Sequence, residues 1–456
     1  DSSRYLAEFN MGYNGTENFA KGKRFGFFPA VSLGWVISEE KFFPKNNIVK
    51  YLKVRGSYGE VGNDQIGGDR FLYLPSSYGA ASDSGVNKYN FGLASNPYTS
   101  LMIVENKIGN PDLTWEKAKK MNVGVDINLF NNCLTASFDI FKEKRNNILA
   151  NRSTSPMIIG ANLPAYNFGE MENRGWEMDL NFRHHIQDFH YWARFNYSFA
   201  RNEIIYMDEV QKRYDYQMTT GRRKNQFFGL IFDGYYNSWE EINALDRPKS
   251  SWSGNQLQPG DVKYVDVNQD GVIDDYDMVP IGYTPVPEII YGFSFGAQYK
   301  GFDFSILFQG ADNVSIKYFG RSMWPFAKGE ESAKSLIKER WTQERSEAGE
   351  KITFPRLSLN PNGETDHNYR PSTLWIRDAS YLRLKNLEVG YTFTGGFVKR
   401  LNLNSVRLYF NGSNLFTWTD VVDLDPEAPS RSGNVEINTY PLQKVYNIGP
   451  VSYTHL

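Results

Sequence analysis

The chain has 456 residues, 50 Lys and Arg against 52 Asp and Glu, and a single cysteine. This leaves a nucleic-acid role without a basic field and excludes an internal disulfide. No run of about 18 apolar residues is present to cross a bilayer as a helix. Aromatic residues reach 16%, with 29 Tyr and 32 Phe, which suits sheets carrying amphipathic rings at an interface better than it suits a soluble core.

The first residues, DSSRYLAEFNMGY, show no signal peptide and already alternate, so the chain reads as a mature fragment that lacks its N-terminal part. In NVGVDINLF, Val123, Val125, Ile127 and Leu129 share one face while Asn122, Gly124, Asp126 and Asn128 share the other, which predicts a strand wetted on one side. Asn131 and Asn132 then give a tight turn, and LTASFDI resumes with Leu134, Ala136, Phe138 and Ile140, completing a hairpin. GWEMDLNFR and YWARFNYSF form a second hairpin, and YGFSFGAQYKGFDFSILFQG a third that turns at Lys300 and Gly301. In YLRLKNLEVGYTF the apolar phase slips between Leu384 and Leu387, as a β-bulge requires, and SVRLYFNGSNLF is a further alternating strand.

Strands of about 9 to 11 residues cross a bilayer when tilted. Tight turns near Asn131, His185 and Lys300 alternate with long connections at 62–115, 145–174, 203–287 and 311–377. Long loops at one end and tight turns at the other predict a transmembrane antiparallel β-barrel, all-β in class, because a compact soluble domain rarely carries structureless lengths of this size. On this reading, Arg in place of Val125 is costly in lipid, whereas Arg in place of Asp126 is tolerated in a wet lumen.

Within the 203–287 connection, DVNQDGVIDDYD has the spacing of a calcium loop. Asp266, Asn268, Asp270, Asp274 and Asp277 stand where oxygen ligands are needed, the Val272 carbonyl falls between them, and Gly271 sits at the sharp turn. Pro and Gly on both sides do not favour the flanking helices of a sensor, so the expected role of Ca2+ is to clip a long loop into one shape. The alternative is a solvated Asx-rich turn. Tyr235, Tyr236, Trp239 and Trp324 in the long loops are candidate substrate-contacting rings, since flat apolar faces with polar handles suit sugars or a partner surface. EESAKSLIKERWTQER, with Leu336, Ile337 and Trp341 on one side, is expected to be an amphipathic helix packed on its own loop. Ser294 lies in a G-x-S-x-G pattern, but alternation runs straight through it, so it reads as a wall residue and not as a nucleophile. The acidic pairs Glu240–Glu241 and Glu330–Glu331 read as solvated charges. Five histidines without cysteine partners do not suggest a structural zinc site, and Cys133 reads as inert.

Several stretches, taken in order, resemble the C-terminal barrel of SusC/RagA-type TonB-dependent transporters of Bacteroidetes. They are FGFFPAVSLGWVISEEKFF, LKVRGSYGEVGN, NPDLTWEKAKKMNVGVDINLF, GEMENRGWEMDL, GDVKYVDVNQDGVIDDYD, IGYTPVPEIIYGFSFGAQYKGFDFSILFQG, YLRLKNLEVGYTF and GSNLFTWTD. The resemblance implies that residues 1–456 are part of a barrel of about 22 strands. It also implies a plug and a TonB-contacting segment, which have no counterpart in this chain, a SusD-like lipoprotein over extracellular loops, and import of oligosaccharides or other large nutrients across the outer membrane. After YPLQKVYNIG the sequence departs from the family's closing strand, and 450–456 is read as a candidate non-native tail. The competing readings are a secreted β-sandwich that binds glycans and, behind it, a glycoside hydrolase domain. No enzyme activity is expected.

Overall fold

The computed structural model describes residues 4–65, 70–75, 79–80, 88–93, 98–101, 103–104, 108–154, 163–252, 257–318, 324–326, 335–358, 366–400, 402–422, 424–427, 434–435 and 441–453. Alternating segments become twelve strands of one sheet: β1 (Tyr5–Gly15), β2 (Phe25–Val36), β3 (Val49–Asn63), β4 (Glu116–Leu129), β5 (Leu134–Ala150), β6 (Tyr166–Ile186), β7 (Phe189–Tyr206), β8 (Ile289–Tyr299), β9 (Phe302–Asp312), β10 (Tyr381–Phe393), β11 (Ser405–Thr419) and β12 (Val445–Tyr453). Each strand pairs antiparallel with the next in chain order, an up-and-down meander, and among the described residues no second sheet of comparable size is present. A β-sandwich is therefore not the architecture.

Register fixes two faces. One carries apolar rows through cross-strand partners: Val123 opposite Ile140, Ile140 opposite Trp176 and Trp176 opposite Phe199 in one, and Phe195 opposite Phe293, Phe293 opposite Phe308, Phe308 opposite Leu384 and Leu384 opposite Phe416 in another. Phe9, Met11, Val31, Leu33, Met121, Val123, Ile140 and Phe295 on that face are exposed, an apolar surface too extensive for water and suited to lipid. The other face is polar. Arg55 there reaches Asp139 with two bonds of 2.7 and 2.6 Å and Asp126 at 3.2 Å, and Ser137 donates to Asp126 at 2.8 Å. Asp126 is thus committed to Arg55. Arginine at Asp126 would set two cations together, so the expected tolerance there is corrected, and Asn128 on the same face is the better lumen control.

The turns follow the sequence. Asn131 and Asn132 adopt φ of 56° and 66°, and Lys300 and Gly301 45° and 91°, the left-handed pairs that two-residue hairpins use. The bulge falls at Lys385, which the β9–β10 register skips, since Leu307 pairs with Asn386 and Phe308 with Leu384. Ser294 lies mid-strand in β8, paired on both sides, with no elbow. Gly292 and Gly296 flank it, and a Cβ on Gly296 would strike the Trp192 ring.

Some strands run much farther than a bilayer requires. β5 and β6 extend to Ala150 and from Tyr166. On the apolar side their extensions change to Lys142–Glu172 and Lys144–Glu170 pairs, each at 2.9 Å, so the wall leaves the lipid before the loop begins. The tail also joins the wall, with Pro450 to Tyr453 continuing β12 opposite Leu408 to Ser405.

Candidate functional site

The main buried cluster lies in a layer at the long-loop end, built from the two longest connections with a contribution from the one between β11 and β12, not inside the sheet. Phe232–Tyr235 pairs with Val262–Tyr264, and Ser315–Tyr318 lies between Ile376–Asp378 and Asn434–Val435. Leu230, Val262, Tyr318, Phe354, Tyr369 and Trp375 are fully buried in this layer. Aromatic contacts bind it together: Trp375 stands 5.4 Å from both Phe354 and Tyr369, and Tyr369 is 5.2 Å from Trp324.

Two of the four candidate rings, Tyr235 and Trp324, belong to this packing, and a third, Tyr236, to a smaller cluster with Ile242 and Leu257. Tyr235, Tyr236 and Trp324 are only 7%, 7% and 5% exposed. Burial pushes both tyrosine hydroxyls above their ordinary range. Loops of this length need interior anchors, and these rings supply them, so their faces are covered and not offered to a ligand. Trp239 differs, at 51% exposed. It begins the short helix α1 (Trp239–Ile242), capped by Ser238, whose hydroxyl accepts the Glu241 backbone N–H. Glu241 also accepts the Asn237 N–H at 2.8 Å and the Lys263 ammonium at 2.6 Å, so the ring projects from a fixed turn. Glu240 and Glu241 therefore sit at a helix start and form no shaped carboxylate cleft, and Glu330 and Glu331 lie outside the described residues. The expected long helix is broken into a 3-10 turn, Ser335–Glu339, and a short helix, Gln343–Glu347, with Trp341 drawn into the loop core between them.

Buried ions fasten the layer, and their partners are too distant in sequence to be read from it. Asp261 takes Arg356 at 2.5 Å and the Asn368 amide at 2.8 Å. Glu288 takes Arg201 at 2.8 Å and also Arg223. Burial alone would raise the Glu288 carboxyl, but its two guanidinium partners hold it below the usual range. Arg383 meets Asp425 at 2.6 Å and Glu427 at 3.1 Å.

The acidic turn forms a compact loop at the edge of this layer. Gln269 and Gly271 take φ of 59° and 83°, which lets the chain fold back on its own side chains. Asp266 accepts the Gln269 and Gly271 N–H groups at 2.7 and 2.8 Å. Asn268 accepts the Asp270 N–H at 2.9 Å, and Asp270 that of Val272 at 3.0 Å. Asp277, with no exposed surface, accepts N–H groups from Val267 at 2.8 Å and Asp274 at 2.9 Å. Burial raises its carboxyl. These hard oxygens have the chemistry of a calcium set, yet each carboxylate is turned onto a backbone amide. Among the described residues no three His, Cys, Asp or Glu side chains converge as a metal cage. The turn is docked by the Tyr216 hydroxyl on the Tyr276 carbonyl and by the Gln217 amide on that of Asp275, both at 2.7 Å.

A meander apolar on one face and polar on the other, with a packed loop layer at one end, defines a membrane β-barrel wall. The chain belongs to the TonB dependent receptor-like, beta-barrel family, whose profile matches residues 3–415. It is 27% identical over 467 residues to TonB-dependent receptor P3 of Formosa agariphila, covering 98% of this chain and 44% of that protein. It is 28% identical over 453 residues to TonB-dependent receptor SusC of Bacteroides thetaiotaomicron, covering 98% and 42%. The structure of the RagAB peptide transporter superposes with a TM-score of 0.71 at 24% identity, over 98% of this chain and 45% of that one, and shows the same fold. The chain spans less than half the length of these relatives. Its family and fold place the wall in the outer membrane.

Proposed function

We propose that this chain supplies wall and extracellular loops to an outer-membrane importer of oligosaccharides or other large nutrients, peptides included. The observation that carries the reading is a two-faced wall belonging, over most of its length, to a family of TonB-dependent barrels. A barrel of this width must be blocked to keep the membrane tight, so a plug and a TonB-contacting segment outside this chain would gate it and bring energy to it. A SusD-like surface lipoprotein would close over the loops. Substrate contact rests on Trp239, the exposed ring on a fixed turn, while Tyr235, Tyr236 and Trp324 keep the loops in shape. The test uses the full-length parent in its host, with the TonB-contacting segment or the neighbouring lipoprotein deleted, and follows uptake of a glycan and peptide panel. Loss of uptake of at least one substrate is expected. Unchanged uptake of every substrate the parent imports would favour a passive pore.

Calcium is a second proposal, for the acidic turn. Asp266, Asn268, Asp270, the Val272 carbonyl, Asp274 and Asp277 would hold the ion after small side-chain rotations away from the amides. The supporting observation is Asp277, a buried carboxylate that accepts only backbone N–H groups and has no cationic partner at ion-pair distance among the described residues. Such a site is expected to be weak, about 10⁻⁴ to 10⁻³ M. Limited proteolysis of the parent should cut the 207–287 loop faster in chelator than in millimolar calcium, and Asp277→Ala should abolish the difference. Equal cutting in both media would reject the site.

A further inference from the structure

Three of the five histidines gather at one short-turn end of the wall, which sequence spacing alone did not reveal. β6 and β7 meet there in a tight hairpin whose Gln187 takes φ of 53°, with His185 directly opposite His190 and His184 opposite Tyr191. The His185 and His190 rings stack with centroids 5.5 Å apart and planes 24° from parallel. Strand alternation places this pair on the polar face with Glu177 and Ser198, and Gln298 of β8 lies beside His190. His184 falls on the opposite, apolar face, where its Nδ1 is 3.7 Å from the Cys133 Sγ.

We infer that His185 and His190 form a two-point chelate for a borderline divalent cation of the Zn2+ class, on the lumen side of the barrel's short-turn rim. The physical argument is distance. A metal–imidazole bond of about 2.0–2.1 Å plus a ring radius of about 1.1 Å places the centroids of two rings sharing a tetrahedral ion roughly 5 Å apart. The observed spacing needs only a rotation of the rings. Antiparallel pairing fixes the two Cβ atoms across one another, and the two-residue turn holds them so, which makes the pair preorganised. Because no third acidic, histidine or cysteine ligand converges among the described residues, water completes the coordination and the ion exchanges readily.

The full-length parent, purified in detergent, is titrated with Zn2+ by calorimetry and with Cu2+ by electron paramagnetic resonance. His185→Gln and His190→Gln are each expected to weaken binding about tenfold or more, a loss of roughly 1.4 kcal/mol, and to remove imidazole nitrogen couplings from the copper spectrum. His184→Gln and Cys133→Ser, on the other face, are expected to change neither readout. Cys133 lies in a turn and the three histidines at strand ends beside one, and thermal melts check that each variant is folded. Binding that survives the double variant His185→Gln/His190→Gln unchanged overturns the inference, as does binding lost in His184→Gln or Cys133→Ser.

Discussion

Trp239 and Trp375 put one residue type to opposite uses within a single loop layer. Trp375 is buried, donates its indole N–H to the Asn368 carbonyl at 2.8 Å and touches Phe354 and Tyr369. Trp375→Ala is expected to cost about 3–5 kcal/mol in the stability of the layer, read as faster proteolysis of the loops at a fixed temperature. Trp239→Ala removes no packing of that kind. It should leave proteolysis unchanged while weakening substrate binding or uptake, and the reverse pattern would reverse the two roles. His367 makes the layer sensitive to pH. Burial lowers its pKa, its Nε2–H donates to the Val262 carbonyl at 2.8 Å, and its Nδ1 meets the Ser250 hydroxyl at 3.0 Å. Asp261 and Asp366 nearby favour the charged ring and Arg370 opposes it, but desolvation dominates. The neutral ring is therefore the native form. The stability it contributes is full above the ordinary histidine value of about 6.5 and is lost as pH falls below it, because the unfolded loop takes up the proton first. Loop protection should weaken as pH falls below about 6.5, and His367→Gln should flatten that dependence. An identical slope in the variant would move the effect elsewhere.

At the scale of elements, the wall strands were readable in the sequence because a half-wetted strand must alternate. Val123, Val125 and Ile127 declare their face without reference to any partner. The bulge at Lys385 was readable for the same reason, since a slip in phase has only one structural remedy. The strand ends were not readable, because past Ile140 and Trp176 the alternation continues in charged residues whose cross-strand partners cannot be known from one segment. Parity makes a quantitative prediction. Val125→Arg should cost about 2–4 kcal/mol near the bilayer midplane. Asn128→Arg, on the polar face and clear of the Arg55 network, should cost far less in a refolding assay of the full-length parent. Equal penalties would mean that both faces share one environment.

Across the whole molecule, a membrane wall drawn from local alternation carries a loop layer held by distant pairs. Asp261 with Arg356 and Asn368, and Glu288 with Arg201, join residues far apart in sequence, and nothing in either segment marks its partner. Loop aromatics are ambiguous for the same reason, since an anchor and a ligand platform share one composition, and only the fold separated Tyr235 from Trp239. The acidic turn was legible as a spacing, but not the direction in which its carboxylates point. The central claim is that one face of this sheet meets lipid and the other an aqueous lumen. Single spin labels placed at Met121, Asn122, Val123, Val125, Ile127 and Asn128 of the full-length parent in bilayers, with Cys133 replaced by Ser, test it most directly. The account predicts that collisions with oxygen dominate at the odd positions, while a polar paramagnetic reagent has the greater access at Asn122 and Asn128. Uniform access along β4, without the two-residue period, would contradict it.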